Sequence, residues 1–210
     1  MSFFNTYFSP VQLVGLVGGL IFVVTTLVFH VRKWHKLSFV TLCLAALGLY
    51  WFAANLDPFL NIWDERFHAL VAKNLRGAWY KPTLFLTQPF DVGPVDWANS
   101  HIWLHKQPLF LWQMALCIGL FGVNEVAIRM PDVLLGVAMV SAVYRSGWIL
   151  INRNVGLYAA LFALTAPFCI SLISGRQMTD HNDFIFVAYV TFPCGRLLNI
   201  NIREIELGSC

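Results

Sequence analysis

The sequence predicts an all-α protein, a polytopic transmembrane helix bundle with interfacial helices in a long first extracytoplasmic loop, and three observations carry that prediction. The 210 residues are 58% hydrophobic and only 12% charged, with a mean hydropathy of +0.65, whereas roughly a quarter of the residues of a soluble domain are charged. Apolar runs recur at lengths that suit a bilayer. One stretch, 57–108, is instead about fifty residues of polar, aromatic and charged sequence. Its backbone and charges are too costly to leave in hydrocarbon, so it must sit at a membrane face. The net charge of +3 is small and scattered, unlike the basic patch used in nucleic-acid binding.

The first run, Val11 to Val31, contains no Asp, Glu, Lys or Arg and at the helical rise covers about 30 Å, enough to cross. A signal peptide is not expected, because a basic leader and a small-residue cleavage site are both missing. Gly15 and Gly19 form a small-xxx-small pair that lets a second helix approach, although such a pair also arises by chance. Arg32, Lys33 and Lys36 make a short basic loop, the mark of the cytoplasmic side, and Leu37 to Leu56 then leads outward. In the loop that follows, Trp63, Phe67, Leu70, Val71 and Leu75 recur at helical spacing, with Asp64, Glu65, His68, Lys73 and Arg76 opposite them. That pattern predicts a helix lying in the interface. Trp79, Tyr80, Trp97 and Trp103 suit headgroup depth.

Leu109 to Val123 is uncharged but short for a span. Arg145 and Arg153 flank the turn between the longer runs Val133–Ile151 and Val155–Ser174, which places that turn inside. An additional crossing at Leu109–Val123 would reverse it. His101 to Pro131 is therefore expected to stay on the outer face, Gly175 to Asp183 to return there, and Phe184 to about Leu198 to re-enter, for five crossings in all. Cys43, Cys117, Cys169, Cys194 and Cys210 lack metal-type spacing and read as small apolar-run residues.

Three polar clusters then share the outer face. Asp64 and Glu65 are adjacent, so on a helix they diverge by about 100° and cannot face one another as an acid pair. One of them can still enter a cavity as a general base or metal ligand, or both can be solvated charges. Lys106 precedes Pro108, a residue favoured in the first helical turn. The ammonium would then stand at a helix N-terminus, where free amides and the dipole attract phosphate; the alternative is a lysine snorkelling from a helix end. The third cluster runs from Gly175-Arg176 through Thr179, Asp180 and His181 to Asp183. His105, Asp180 and His181 supply donors suited to a divalent metal ion, without diagnostic spacing.

The order of these features resembles the N-terminal part of class C membrane glycosyltransferases, the group of protein O-mannosyltransferases and lipid A aminoarabinose transferases. It is carried by Asp64-Glu65, then Lys106-Gln107-Pro108-Leu109 with Trp112, then Phe121-Gly122 with Glu125, Arg129 and Pro131, and last Gly175-Arg176 with Thr179-Asp180. It covers roughly Leu37 to Asp183, and relatives run on through many more spans. The chain departs from the family in having Lys106-Gln107-Pro108 for Lys-Pro-Pro, His105 where many relatives are acidic, and an added span at 1–36. The resemblance implies a glycosyltransferase-like region at 37–198, and the sequence after it, 199–210, reads as a polar tail. It also implies transfer of a sugar from a polyprenyl-phosphate donor to a lipid, glycan or protein acceptor at the outer face of a bacterial inner membrane. Asp64 would act as base, with Glu65 and Asp180 as further catalytic carboxylates. Lys106 would meet the donor phosphate, with His105 and Arg176 in substrate binding. Residues 1–210 alone are expected to insert without transferring sugar. The competing classes are a non-catalytic interaction subunit and a transporter subunit, the second at odds with charges gathered at one face and no visible repeat.

Overall fold

The computed structural model describes residues 8–86, 101–177 and 182–192. The chain there is helical, and the lone extended pairing among the described residues is an isolated bridge between Thr83 and Ile102. Helix α1, Pro10–Val31, starts at a reciprocal cap: Ser9 Oγ accepts from the Gln12 N–H while Gln12 Oε1 accepts from the Ser9 N–H, which satisfies two otherwise orphaned donors. A turn through Lys33, at φ 60°, leads into α2, His35–Ala54. The two helices pack through the predicted glycines and a third. A Cβ on Gly48 would lie 2.9 Å from Gly19 Cα, and one on Gly15 would lie 3.0 Å from the Gly48 carbonyl. Further along the pair, Thr26 Oγ1 donates to Thr41 Oγ1 at 2.9 Å and Ser38 Oγ to the Thr26 carbonyl at 3.1 Å. Bonds of this kind join membrane helices at about 0.6 kcal/mol each. The outer surface of α1 leaves Val14, Ile21, Val24 and Val31 exposed, as a lipid-facing side would.

Helix α3 is Asp64–Leu75 and α4 is Pro108–Phe121. Helix α5, Glu125–Leu150, starts eight residues before the expected run and carries Pro131 inside it. Asn124 Oδ1 accepts from the Ala127 N–H and Glu125 stands in the first turn, which together start the helix ahead of the apolar run. Its 26 residues measure about 39 Å, longer than the hydrocarbon core, so its first turns belong to the loop layer. The expected span Val155–Ser174 is two helices, α6 (Arg153–Leu164) and α7 (Pro167–Ile173), bent by 47°. Pro167 causes the break, since it lacks an N–H and pushes the preceding residue out of helical geometry; Ala166 is extended at φ −59°, ψ 117°. Helix α8 is Asn182–Phe192, and the rest of the run expected to re-enter lies outside the described residues.

Three helices are long and apolar enough to cross a bilayer, and the bent pair makes a fourth span if taken together. This is an integral membrane protein. Its main core joins Leu42, Ala46 and Tyr50 of α2 to Val133 and Val140 of α5, Leu157 and Leu164 of α6, and Phe184 of α8. The two basic turns come together at one end, where His30 Nε2 lies 2.8 Å from Asn154 Oδ1. The other end carries the loop layer. Helix α4 begins beside α3 and ends where Phe121 shares a cavity with Trp51 and Asn55 at the end of α2, so both of its ends lie at that one end of the bundle.

Candidate active site

The described segments of the loop, 57–86 and 101–107, come together on α4. Asn74 Nδ2 donates to the carbonyls of Thr83 and Leu84, the Leu84 N–H to the His101 carbonyl, the Trp103 N–H to the Pro82 carbonyl, and Trp112 Nε1 to the Trp79 carbonyl. Beneath this layer Val71, Ala72 and Leu75 of α3 pack with Leu84, Trp103, Phe110, Leu111 and Met114. The expectation of two faces on α3, apolar in the interface and charged in water, is overturned at its first turns. Asp64, Glu65 and His68 are buried, while Trp63 is 52% exposed. The reason is that α3 is covered on more than one side. Its apolar residues meet α4, its two carboxylates turn toward cationic partners, and His68 stands edge-on to Phe110 and Trp103 at 4.8 and 5.6 Å. Trp103, expected at headgroup depth, is 1% exposed within this cluster.

The adjacent carboxylates do diverge, and each takes its own cation. Glu65 faces Arg129, and both side chains are fully buried. The guanidinium uses all five of its N–H groups. Nε donates to Glu65 Oε1 at 2.8 Å, Nη1 to the carbonyls of Ala54 at 3.0 Å and Asp57 at 2.6 Å, and Nη2 to the Phe59 carbonyl at 3.0 Å and Glu65 Oε2 at 3.2 Å. Glu65 Oε2 also accepts from the Asn61 N–H at 2.6 Å. Because Ala54 is the last residue of α2, Arg129 caps that helix from α5 and ties both to the start of the loop. Gly175 closes over the pair at φ +71°. A Cβ there would come within 2.5 Å of Glu65 Oε2 and 2.7 Å of Arg129 Nη2, and the Gly175 carbonyl accepts from Asn61 Nδ2 at 3.1 Å. Arg129 was part of the family pattern but had no assigned role. An arginine in the opening turns of a long apolar helix was the signal that could have found it.

Asp64 faces the other way. Lys106 Nζ lies 3.8 Å from Asp64 Oδ2, with the Lys106 side chain 26% exposed and that of Asp64 12%. This is charge attraction between two partly accessible side chains, beyond hydrogen-bond length between the two atoms. Lys106 directly precedes Gln107, the extended residue from which α4 starts with Pro108 in its first turn, as the sequence predicted. His105 is exposed beside Trp103, with ring centroids 5.7 Å apart, and Arg176 is exposed next to Gly175. Asp180 and His181 lie outside the described residues. Among the described residues no group of three or more His, Cys, Asp or Glu side chains comes together as a metal site. Asp64, Lys106, Glu65, Arg129 and Gly175 are thus assembled at one end of the bundle from residues spread over more than a hundred positions.

Residues 105–199 match the family model of dolichyl-phosphate-mannose-protein mannosyltransferases. The match spans less than half of the chain and takes in Lys106, Arg129 and Gly175, while Asp64 and Glu65 precede it. It bears out the likeness to membrane glycosyltransferases read from the order of motifs. No curated protein and no solved structure matches the chain.

Proposed function

We propose that the chain carries the donor and base positions of a glycosyltransferase that uses a polyprenyl-phosphate-linked sugar at the outer face of a membrane, of the bacterial inner-membrane kind. The observation that carries this reading is the partly accessible Asp64–Lys106 pair, with Lys106 just ahead of α4. A carboxylate and an ammonium 3.8 Å apart meet the two needs of displacement at an anomeric carbon. Asp64 takes the proton of the acceptor hydroxyl as its oxygen bonds to that carbon. The bond from the carbon to the phosphate oxygen breaks, and Lys106 with the first free amides of α4 stabilises the charge that gathers on the departing polyprenyl phosphate. Glu65 and Arg129 act as positioning residues, holding α3 so that Asp64 faces Lys106. Arg176 and His105, both exposed, are assigned to substrate contact, and Asp180, outside the described residues, to binding substrate or metal. His105, Asp180 and His181 offer a divalent cation site, which loss of activity on chelation and recovery with added cation tests separately.

Donor binding tests the reading without requiring turnover. The protein in nanodiscs is titrated with a fluorescent short-chain polyprenyl phosphate. Lys106→Ala is expected to weaken binding by roughly tenfold or more, in keeping with a charged hydrogen bond of about 1.5–3 kcal/mol. Binding of the parent that Lys106→Ala leaves unchanged would remove Lys106 from the donor site. An interaction subunit, by contrast, would show no saturable binding of the polyprenyl phosphate.

A further inference from the structure

The end of the bundle away from Arg129 holds a second charged feature that the proposed transfer does not use. The 20 residues of α2 between His35 and Ala54 separate the two by about 30 Å, the thickness of a bilayer core. There a cavity of about 480 Å³ is walled by Lys33, His35, Lys36, Arg145, Arg153 and Trp148 among others, a volume in the range of small-molecule sites. The four cations come from both basic turns. The two arginines are held over one indole, with Arg153 Cζ 4.5 Å and Arg145 Cζ 5.0 Å from the Trp148 ring centroid. Among the described residues no carboxylate lines the cavity, and none of its four cations is in an ion pair. Four like charges around one space repel, and an anion between them removes that repulsion.

We propose that this cavity is a binding site for a phosphate group, supplied by the headgroup of an anionic phospholipid in the leaflet it faces. Guanidinium forks suit phosphate oxygens, and basic pockets between membrane helices take such headgroups on the cytoplasmic side. The surroundings favour a lipid over a free ion. Leu37 and Val40 on the same turns of α2, and Leu150 and Ile151 at the end of α5, are exposed apolar residues along which acyl chains can lie.

The test uses the protein in nanodiscs of phosphatidylcholine, alone or with phosphatidylglycerol, and counts retained lipid by native mass spectrometry. A parallel arm titrates inorganic phosphate and follows the melting temperature. The parent is expected to retain phosphatidylglycerol over phosphatidylcholine. The double variant Lys36→Gln/Arg145→Gln, at two exposed positions, is expected to lose that preference by roughly tenfold or more while melting as the parent does in phosphatidylcholine alone. Stabilisation by inorganic phosphate without lipid preference, abolished in the same variant, would assign the site to a free phosphate. Equal retention of both lipids with no response to phosphate, or a variant that behaves as the parent, overturns the proposal. So does phosphate binding that emerges only in Glu204→Gln/Glu206→Gln, two acidic positions outside the described residues, since the chain itself would then fill the cavity.

Discussion

Replacing Arg129 with methionine keeps much of the side chain's length and removes its charge and all five donors. Glu65, 1% exposed, then holds a buried carboxylate without its guanidinium, and the carbonyls of Ala54, Asp57 and Phe59 lose the donor they share. Breaking a buried ion pair from one side costs about 3–5 kcal/mol. Arg129→Met should therefore fall at or above that range, because three carbonyls are stranded as well. Arg129→Lys should recover only part, since an ammonium has three donors and no fork. Glu65→Gln/Arg129→Met should cost less than the sum of its single changes, with coupling on the order of 1–3 kcal/mol. The assay is unfolding in mixed micelles titrated with dodecyl sulfate and followed by tryptophan fluorescence. Arg129→Met within about 0.5 kcal/mol of the parent, the scatter of an ordinary surface change, would refute the claim that this pair locks the loop to the bundle.

Three other outcomes follow from the geometry. Gly175→Ala places a methyl 2.5 Å from Glu65 Oε2 at φ +71°, and should lower the folded yield and cost more than about 1 kcal/mol in the same unfolding assay. Gly48→Leu forces α1 from α2 at a point where even a Cβ would lie 2.9 Å from Gly19 Cα; cysteines engineered across that contact should crosslink less, and equal crosslinking would show the approach is looser. Single cysteines at positions 106 and 145 should label with an impermeant reagent from the outside and only after permeabilisation, respectively, and the reverse pattern would exchange the two faces.

What the sequence disclosed was local. Apolar runs marked the spans, Gly15 and Gly19 marked a close approach, and Lys106 before Pro108 marked a helix start. Basic turns at 32–36 and 145–153 predicted which helix ends would meet. Burial was hidden wherever it depended on distant partners. Helical spacing set Asp64, Glu65 and His68 opposite the apolar stripe of α3, but it cannot show that Glu65 would meet Arg129, sixty-four positions away, Asp64 would meet Lys106, and His68 would pack on Phe110 and Trp103. Pro131 and Pro167 are identical as signals, yet one lies inside α5 and the other breaks α6 from α7. The difference lies in capping: Asn124 starts α5 ahead of Pro131, while Ala166 before Pro167 is extended.

The most direct measurement is sugar transfer in membranes containing the protein expressed as its gene encodes it, supplied with radiolabelled polyprenyl-phosphate sugars, for the parent and for Asp64→Asn. This substitution keeps the size of the side chain facing Lys106 and removes the charge that would accept the acceptor's proton. With Asp64 as the base, transfer should fall by about 10²-fold or more, with membrane insertion and protein level unchanged. Transfer by Asp64→Asn at a rate near that of the parent would contradict that role.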